Sequence, residues 1–253
     1  MFERYQHGKD SSGTSFGRFA RRFVAFASLS GAVLGFAYAA HGAKAHQPLT
    51  TQELAAIIQG MDLPPDFRIE PTDEVLSRIN RVRTDAGRGA DYKAAIERME
   101  KLKPMISGYL AKYDMPQELL AVPMIESGYE NNAQEAWQKR INRTHNVGAG
   151  LWMFVKTTAR NYGLVVNDER DQRLDPELET DAAMRLLAAN RLRFKDWLLS
   201  LAAYNQGETA VQKAIDQGHS RDAWKLAKLD LLNDYVATFS AAVILINNPQ
   251  LID

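Results

Sequence analysis

Cysteine is absent from all 253 residues, which excludes a disulfide scaffold, thiol catalysis, thiolate zinc or iron–sulfur sites and a cysteine-linked lipid anchor. Histidine is scarce. Of five, His7, His41 and His46 lie in or beside an N-terminal targeting segment, leaving only His145 and His219 for a folded region, too few for a multi-histidine metal centre. No Gly-x-Ser-x-Gly elbow supports acyl hydrolysis. Gly87-x-Gly89 and Gly148-x-Gly150 lack the third glycine and the preceding strand of a nucleotide fingerprint. An excess of one charge is missing as well. The 31 basic and 31 acidic residues cancel, so no basic face is evident that could displace counterions from nucleic acid. These absences leave no expectation of a metal, a cofactor or a nucleic-acid partner.

What is present is a folding composition, 45% hydrophobic and 25% charged, enough for one ordinary domain with appendages or two small ones. Residues 1–45 differ from the rest. Arg18, Arg21 and Arg22 precede an uncharged run of 18 residues, 23–40, followed by Ala-x-Ala triplets at Ala37–Ala39 and Ala43–Ala45. That layout predicts a secretory signal. The run is also just long enough to span a hydrocarbon core of roughly 30 Å, so a retained inner-membrane anchor through residues 23–40 is the alternative. Either way the remainder is exported, periplasmic and secreted or tethered. It carries 25 basic and 29 acidic residues.

The exported part reads as all-α. Thr50-x-x-Glu53 is a capping box ahead of an apolar run, with Gly60 at the expected helix end. Val75, Leu76 and Ile79 continue helical spacing over residues 74–83, and residues 84–91, with two glycines and two aspartates, read as a linker. Helical stripes follow: Met99, Leu102, Met105, Ile106 and Leu110; then Leu119, Leu120, Val122 and Ile125; then Ala183, Leu186, Leu187 and Phe194 behind Thr180 as N-cap; and a nearly all-apolar helix over residues 197–204. No alternating strand pattern competes. The organisation expected is a targeting segment at 1–45, a helical extension and linker at 46–91, and a main domain at 92–253.

Glu126 stands out chemically. Seven apolar residues precede it, and a carboxyl at the end of a buried helix has its protonated form favoured by desolvation, as a general acid near neutral pH requires. An exposed helix-terminal glutamate is the plain alternative.

Val122-Pro-Met-Ile-Glu126-Ser127, Gly148-Ala-Gly-Leu-Trp152, Asn161-Tyr-Gly163 and Leu201-Ala-Ala-Tyr-Asn-Gln-Gly-Glu208 occur in the order and near the spacing of one family. Together they resemble the lytic transglycosylase (SLT) domain, in particular the membrane-bound lytic murein transglycosylase D branch, over roughly residue 92 to the C-terminus. The resemblance implies a lysozyme-like helical fold that cleaves the bond between N-acetylmuramic acid and N-acetylglucosamine in peptidoglycan strands without water. It implies that Glu126 is the catalytic residue, acid first and base second. It places Tyr204, Asn205, Ser127, Gly150, Trp152, Met153 and Tyr235 along the substrate cleft, with the Tyr204 hydroxyl near the glutamate and Trp152 in the cleft wall. Ser127 could instead cap backbone, Tyr235 could simply pack, and Trp152 could as well be core. Glu208 reads as structural, and Asp168, Glu169 and Asp171 as solvated loop charges.

Two departures from the family pattern stand in the sequence. Met153 occupies a position usually held by glutamine, and residues 134–146 form an enlarged polar loop containing Lys139, Arg140, Arg143 and His145, suited to contacting acidic peptide stems. A hydrolytic muramidase on the same fold, and a catalytically silent glycan-binding component of the envelope, remain the alternatives. An envelope-spanning machine would be the natural partner of such an enzyme.

Overall fold

The computed structural model describes residues 46–132 and 148–253. The targeting segment at 1–45 and the loop at 134–146 therefore lie outside the described residues. Within them the chain is helical, as expected: α1 (Thr51–Gln59), α2 (Asp73–Arg83), α3 (Ala86–Lys112), α4 (Ala121–Glu126), α5 (Lys156–Asn161), α6 (Pro176–Phe194), α7 (Trp197–Gln206), α8 (Glu208–Gly218), α9 (Ala223–Lys228) and α10 (Tyr235–Asn247). Extended pairing among the described residues is limited to the isolated bridges Ala149–Phe154 and Val166–Asp171. No helix among the described residues is long and apolar enough to cross a membrane.

The N-termini are set by side-chain caps that satisfy backbone donors left open in a first turn. Thr50 accepts from Glu53 N at 3.2 Å while Glu53 Oε2 accepts from Thr50 N at 2.8 Å, the reciprocal box read from the sequence. Asp196 caps α7 through Leu199 N at 2.8 Å. Two expectations need correcting. Thr180 is not a cap: α6 begins a turn earlier, with Asp175 accepting from Glu177 N and Leu178 N and Pro176 at the first position, where its missing N–H costs nothing. The stretch 84–91 is not a linker. Asp85 caps α3, whose helix runs unbroken from Ala86 through both glycines.

The centre of the molecule is α10. Nearly all of its residues from Tyr235 to Leu245 are buried, and α2, α4 and α7 pack around it. The N-terminal extension belongs to this core. Leu54, Val75 and Ile79 are fully buried, and the Phe67 ring stacks on Trp197 at 5.8 Å and on Phe239 at 5.7 Å between centroids. Trp224 Nε1 donates to Arg68 O at 2.6 Å, and Asn80 exchanges hydrogen bonds with the Leu49 backbone in both directions. Residues 46–83 thereby clamp the helix that delivers Tyr235.

Candidate active site

A single 3₁₀ turn (Gln117–Leu120) runs directly into α4, and six successive residues from Leu119 to Met124 are buried against α3 and α10. Pro123 sits in the first turn of α4, where no helical N–H is lost. The helix then stops at Glu126. Ser127 gives its hydroxyl to Pro123 O at 3.1 Å and Leu151 O at 2.8 Å. Gly128 and Tyr129 both adopt left-handed backbone, φ +58° and +60°, which turns the chain back. Tyr129 carries a Cβ there and is held by its hydroxyl donating to Leu120 O at 2.7 Å. The only carboxyl in this apolar segment is therefore fixed at a helix end beside a turn braced from both sides.

Glu126 retains some exposed surface, and its carboxyl has two side-chain partners. Tyr235 Oη donates to Oε1 at 2.7 Å, and the Asn205 amide lies within hydrogen-bonding reach. Desolvation pushes the carboxyl up from the ordinary range to about 7, and the two donors, which favour the charged form, hold it from rising further. A group so placed can give up and recover a proton near neutral pH.

The resemblance put the Tyr204 hydroxyl near the glutamate. The structure gives the hydrogen bond to Tyr235. Tyr204 Oη donates instead to Trp152 O, while its ring tilts against Phe154 at 6.2 Å. Burial and the nearby charges of Glu126 and Glu179 raise its pKa well above the ordinary value. Asn205 is half-buried, its Oδ1 accepting from Asn233 Nδ2 at 2.6 Å.

For Trp152 the core alternative holds. The side chain is fully buried, and its Nε1 donates to Thr180 Oγ1 at 2.9 Å, so the ring fills core and offers no face to a sugar. Gly150 has a packing role: with φ +82°, a Cβ there would lie 2.0 Å from Arg173 O and 2.2 Å from Glu179 Oε2. Ser127 spends its hydroxyl on backbone. Met153 is partly exposed, with left-handed backbone at φ +55°. Asp171 is no solvated charge either. It grips the fully buried Arg173 at 2.6 and 2.9 Å, and Arg173 Nη1 continues to Phe154 O at 3.0 Å. Asp168 and Glu169 are exposed as expected. Glu208 pairs with Arg193 at 3.0 Å, consistent with a structural role.

Sequence reasoning missed Glu179 and Asn233. Glu179 is fully buried, accepts from Trp152 N at 3.2 Å, and has its carboxyl raised to about 8 by desolvation. A trace of it was available, since Glu179 lies four residues before Ala183 and eight before Leu187, on the apolar stripe of its helix. Asn233 offers no such trace. Among the described residues no cluster of three or more histidine or acidic side chains has the arrangement of a metal site.

Comparison with known proteins finds sequence similarity to one family. Residues 104–227 match the family model described as Transglycosylase SLT domain. Two relatives, both named membrane-bound lytic murein transglycosylase D, from Escherichia coli strain K12 and from Escherichia coli O6:H1 strain CFT073, are each 33% identical over 158 residues, or 60% of this chain and 33% of theirs. The chain thus spans about a third of the length of the curated relatives it matches. Glu126, Ser127, Gly150, Trp152, Met153, Tyr204 and Asn205 fall inside the matched window, and Tyr235 lies beyond its end.

Proposed function

On the premise that residues 104–227 of this chain are a transglycosylase SLT domain, we propose that the protein is a peptidoglycan lytic transglycosylase with Glu126 as its catalytic residue. The substrate is the β-1,4 bond between N-acetylmuramic acid and N-acetylglucosamine in glycan strands. The protonated carboxyl gives its proton to the glycosidic oxygen as the bond to C1 breaks and oxocarbenium character develops. The resulting carboxylate takes the proton of the muramoyl 6-hydroxyl, whose oxygen bonds to C1 and closes a 1,6-anhydro ring. No water is consumed, and Glu126 ends protonated as it began.

The observation that carries this reading is one carboxyl poised at about 7 and held by Tyr235 and Asn205. A retaining glycosidase would need a second carboxylate roughly 5 Å away as nucleophile. Glu179, whose carboxyl is raised as well, is sealed in the core and bonded to backbone. Stabilisation of the cation then falls to the substrate's own 2-acetamido group, with Asn205 placed to contact such a group. Tyr204 and Gly150 support the cleft from behind, and Met153 is the residue of its loop left partly exposed for sugar contact. Such an enzyme works in the periplasm, either released from residues 1–45 or tethered through residues 23–40, in isolation or beside an envelope-spanning assembly.

Digestion of purified peptidoglycan by the full chain and by Glu126→Gln, with released muropeptides read by mass spectrometry, tests the reading. Anhydromuramoyl products, one water lighter than hydrolysed ends and lost in the variant, are expected. Reducing muramoyl ends dependent on Glu126 would make the protein a muramidase. Wall binding without any products would make it a silent glycan-binding component.

A further inference from the structure

Tyr235 meets the site twice. Its hydroxyl reaches Glu126, and its backbone N–H donates to Asn233 Oδ1 at 3.2 Å. A backbone N–H can only donate, so this contact decides which end of the Asn233 amide is oxygen. The other end, Nδ2, donates to Asn205 Oδ1 at 2.6 Å. With its oxygen engaged, Asn205 has only its NH₂ to present to the Glu126 carboxyl. Asn233 is itself pinned, its backbone N–H donating to Gln206 Oε1 at 3.0 Å, which joins the loop before α10 to the last residue of α7.

We propose that Asn233 is a positioning residue that sets the polarity of Asn205, so that the chain from Tyr235 N–H through two amides delivers an N–H, never a carbonyl, to Glu126. An undirected Asn205 amide can rotate half a turn and bring its oxygen to the carboxyl, which repels the carboxylate and favours the acid form. Glu126 has to be an acid in one step and a carboxylate in the next, so a partner that always donates keeps the second form accessible. Asn233 lies outside the matched window of 104–227, so this part of the site is supplied by the segment that brings Tyr235. The proposal rests on Glu126 as the catalytic acid.

The test titrates the Glu126 carboxyl by ¹³C NMR in the full chain carrying labelled glutamate, comparing wild type, Asn205→Ala, Asn233→Ala and the double variant. Each single change is expected to raise the midpoint by about half to one pH unit, because a donor to the charged form is lost. The double variant should move no further than Asn205→Ala alone, since coupled residues are not additive. An unmoved midpoint in Asn233→Ala, with only the melting temperature lowered, overturns the proposal, and so does a shift that adds in full to that of Asn205→Ala. Should Asn233→Ala not fold, Asn233→Ser keeps an acceptor for the Tyr235 N–H but is too short to reach Asn205. The same rise is expected from it, and no rise overturns the proposal. The titration needs no turnover, so a wild type that releases no anhydromuramoyl products defeats the functional reading while the midpoints still decide this one.

Discussion

Glu126 and Glu179 are both pushed up by burial, one to about 7 and the other to about 8, and their surroundings are opposite in kind. Glu126 closes a helix and faces side-chain donors, a phenol and an amide, at a site that keeps some exposure. Glu179 lies in the first turn of α6, fully buried, and receives the backbone N–H of Trp152, with Leu151 and Phe154 also turned toward it. Side-chain donors can adjust as charge comes and goes, whereas backbone N–H groups are fixed parts of a loop. The difference shows that two carboxyls raised alike by burial can differ in their partners and in their access. Glu179 fastens the loop from Gly150 to Phe154, whose Leu151 and Trp152 carbonyls receive the Ser127 and Tyr204 hydroxyls, so one glutamate braces the frame beside the other.

The sharpest way to break this contrast is to exchange the two losses. Glu126→Gln should cost at least about 10²-fold in anhydromuramoyl release, the usual minimum for general acid–base catalysis, while circular dichroism shows the fold intact. Glu179→Ala should do the reverse in kind. Leaving the Trp152 N–H without its acceptor and opening a cavity beside Gly150 should lower stability by about 2–4 kcal/mol in denaturant unfolding, with activity falling only as the loop loosens. If Glu179→Ala abolished turnover in a fully stable protein, the division of labour would be wrong.

Smaller effects sharpen the picture. Tyr235→Phe removes a donor that favours the Glu126 carboxylate, so the carboxyl should rise and the alkaline limb of the pH–rate profile, set by loss of the acid form, should move up by about one pH unit. A limb that stays in place would return the phenol's role to Tyr204. Stability against pH gives a further check. Because the folded carboxyl of Glu126 is raised above its ordinary 4.5 to about 7, its contribution to stability declines as pH rises between those values and stays lost above them. Glu126→Gln removes that penalty. Its melting temperature should therefore exceed the wild type's at pH 8, the gap shrinking to little at pH 4. Equal differences at both pH values would show that the carboxyl is not desolvated.

Much of the helical plan was legible because its cues are local. The capping box at Thr50, the stripes through α3 and α6 and the apolar run ending at Glu126 all follow from spacing along one chain. The reading failed where a local cue had two uses. Glycines at 87 and 89 suggested a linker, but Asp85 could cap a helix that carries them, and threonine at 180 suggested a cap although Asp175 was the better one. Within the site, sequence could not choose between alternatives that packing decides. Trp152 went to the core, and the hydrogen bond to Glu126 came from Tyr235 while Tyr204 bonds the Trp152 carbonyl, because both tyrosines come near Glu126 from different helices and only packing chooses between their hydroxyls.

The sequence by itself determined that this chain would be helical, free of thiol and histidine-cluster chemistry, and equipped with one carboxyl at the end of a buried helix, since composition and short-range periodicity carry that information. Tertiary structure alone decided that residues 46–83 clamp α10, that Glu179 anchors the loop behind the cleft, and that Asn233 faces Asn205. Each of these joins residues distant along the chain or orients an amide whose two ends are alike in sequence, and such choices are made only when the helices close on one another and every buried donor must find its acceptor.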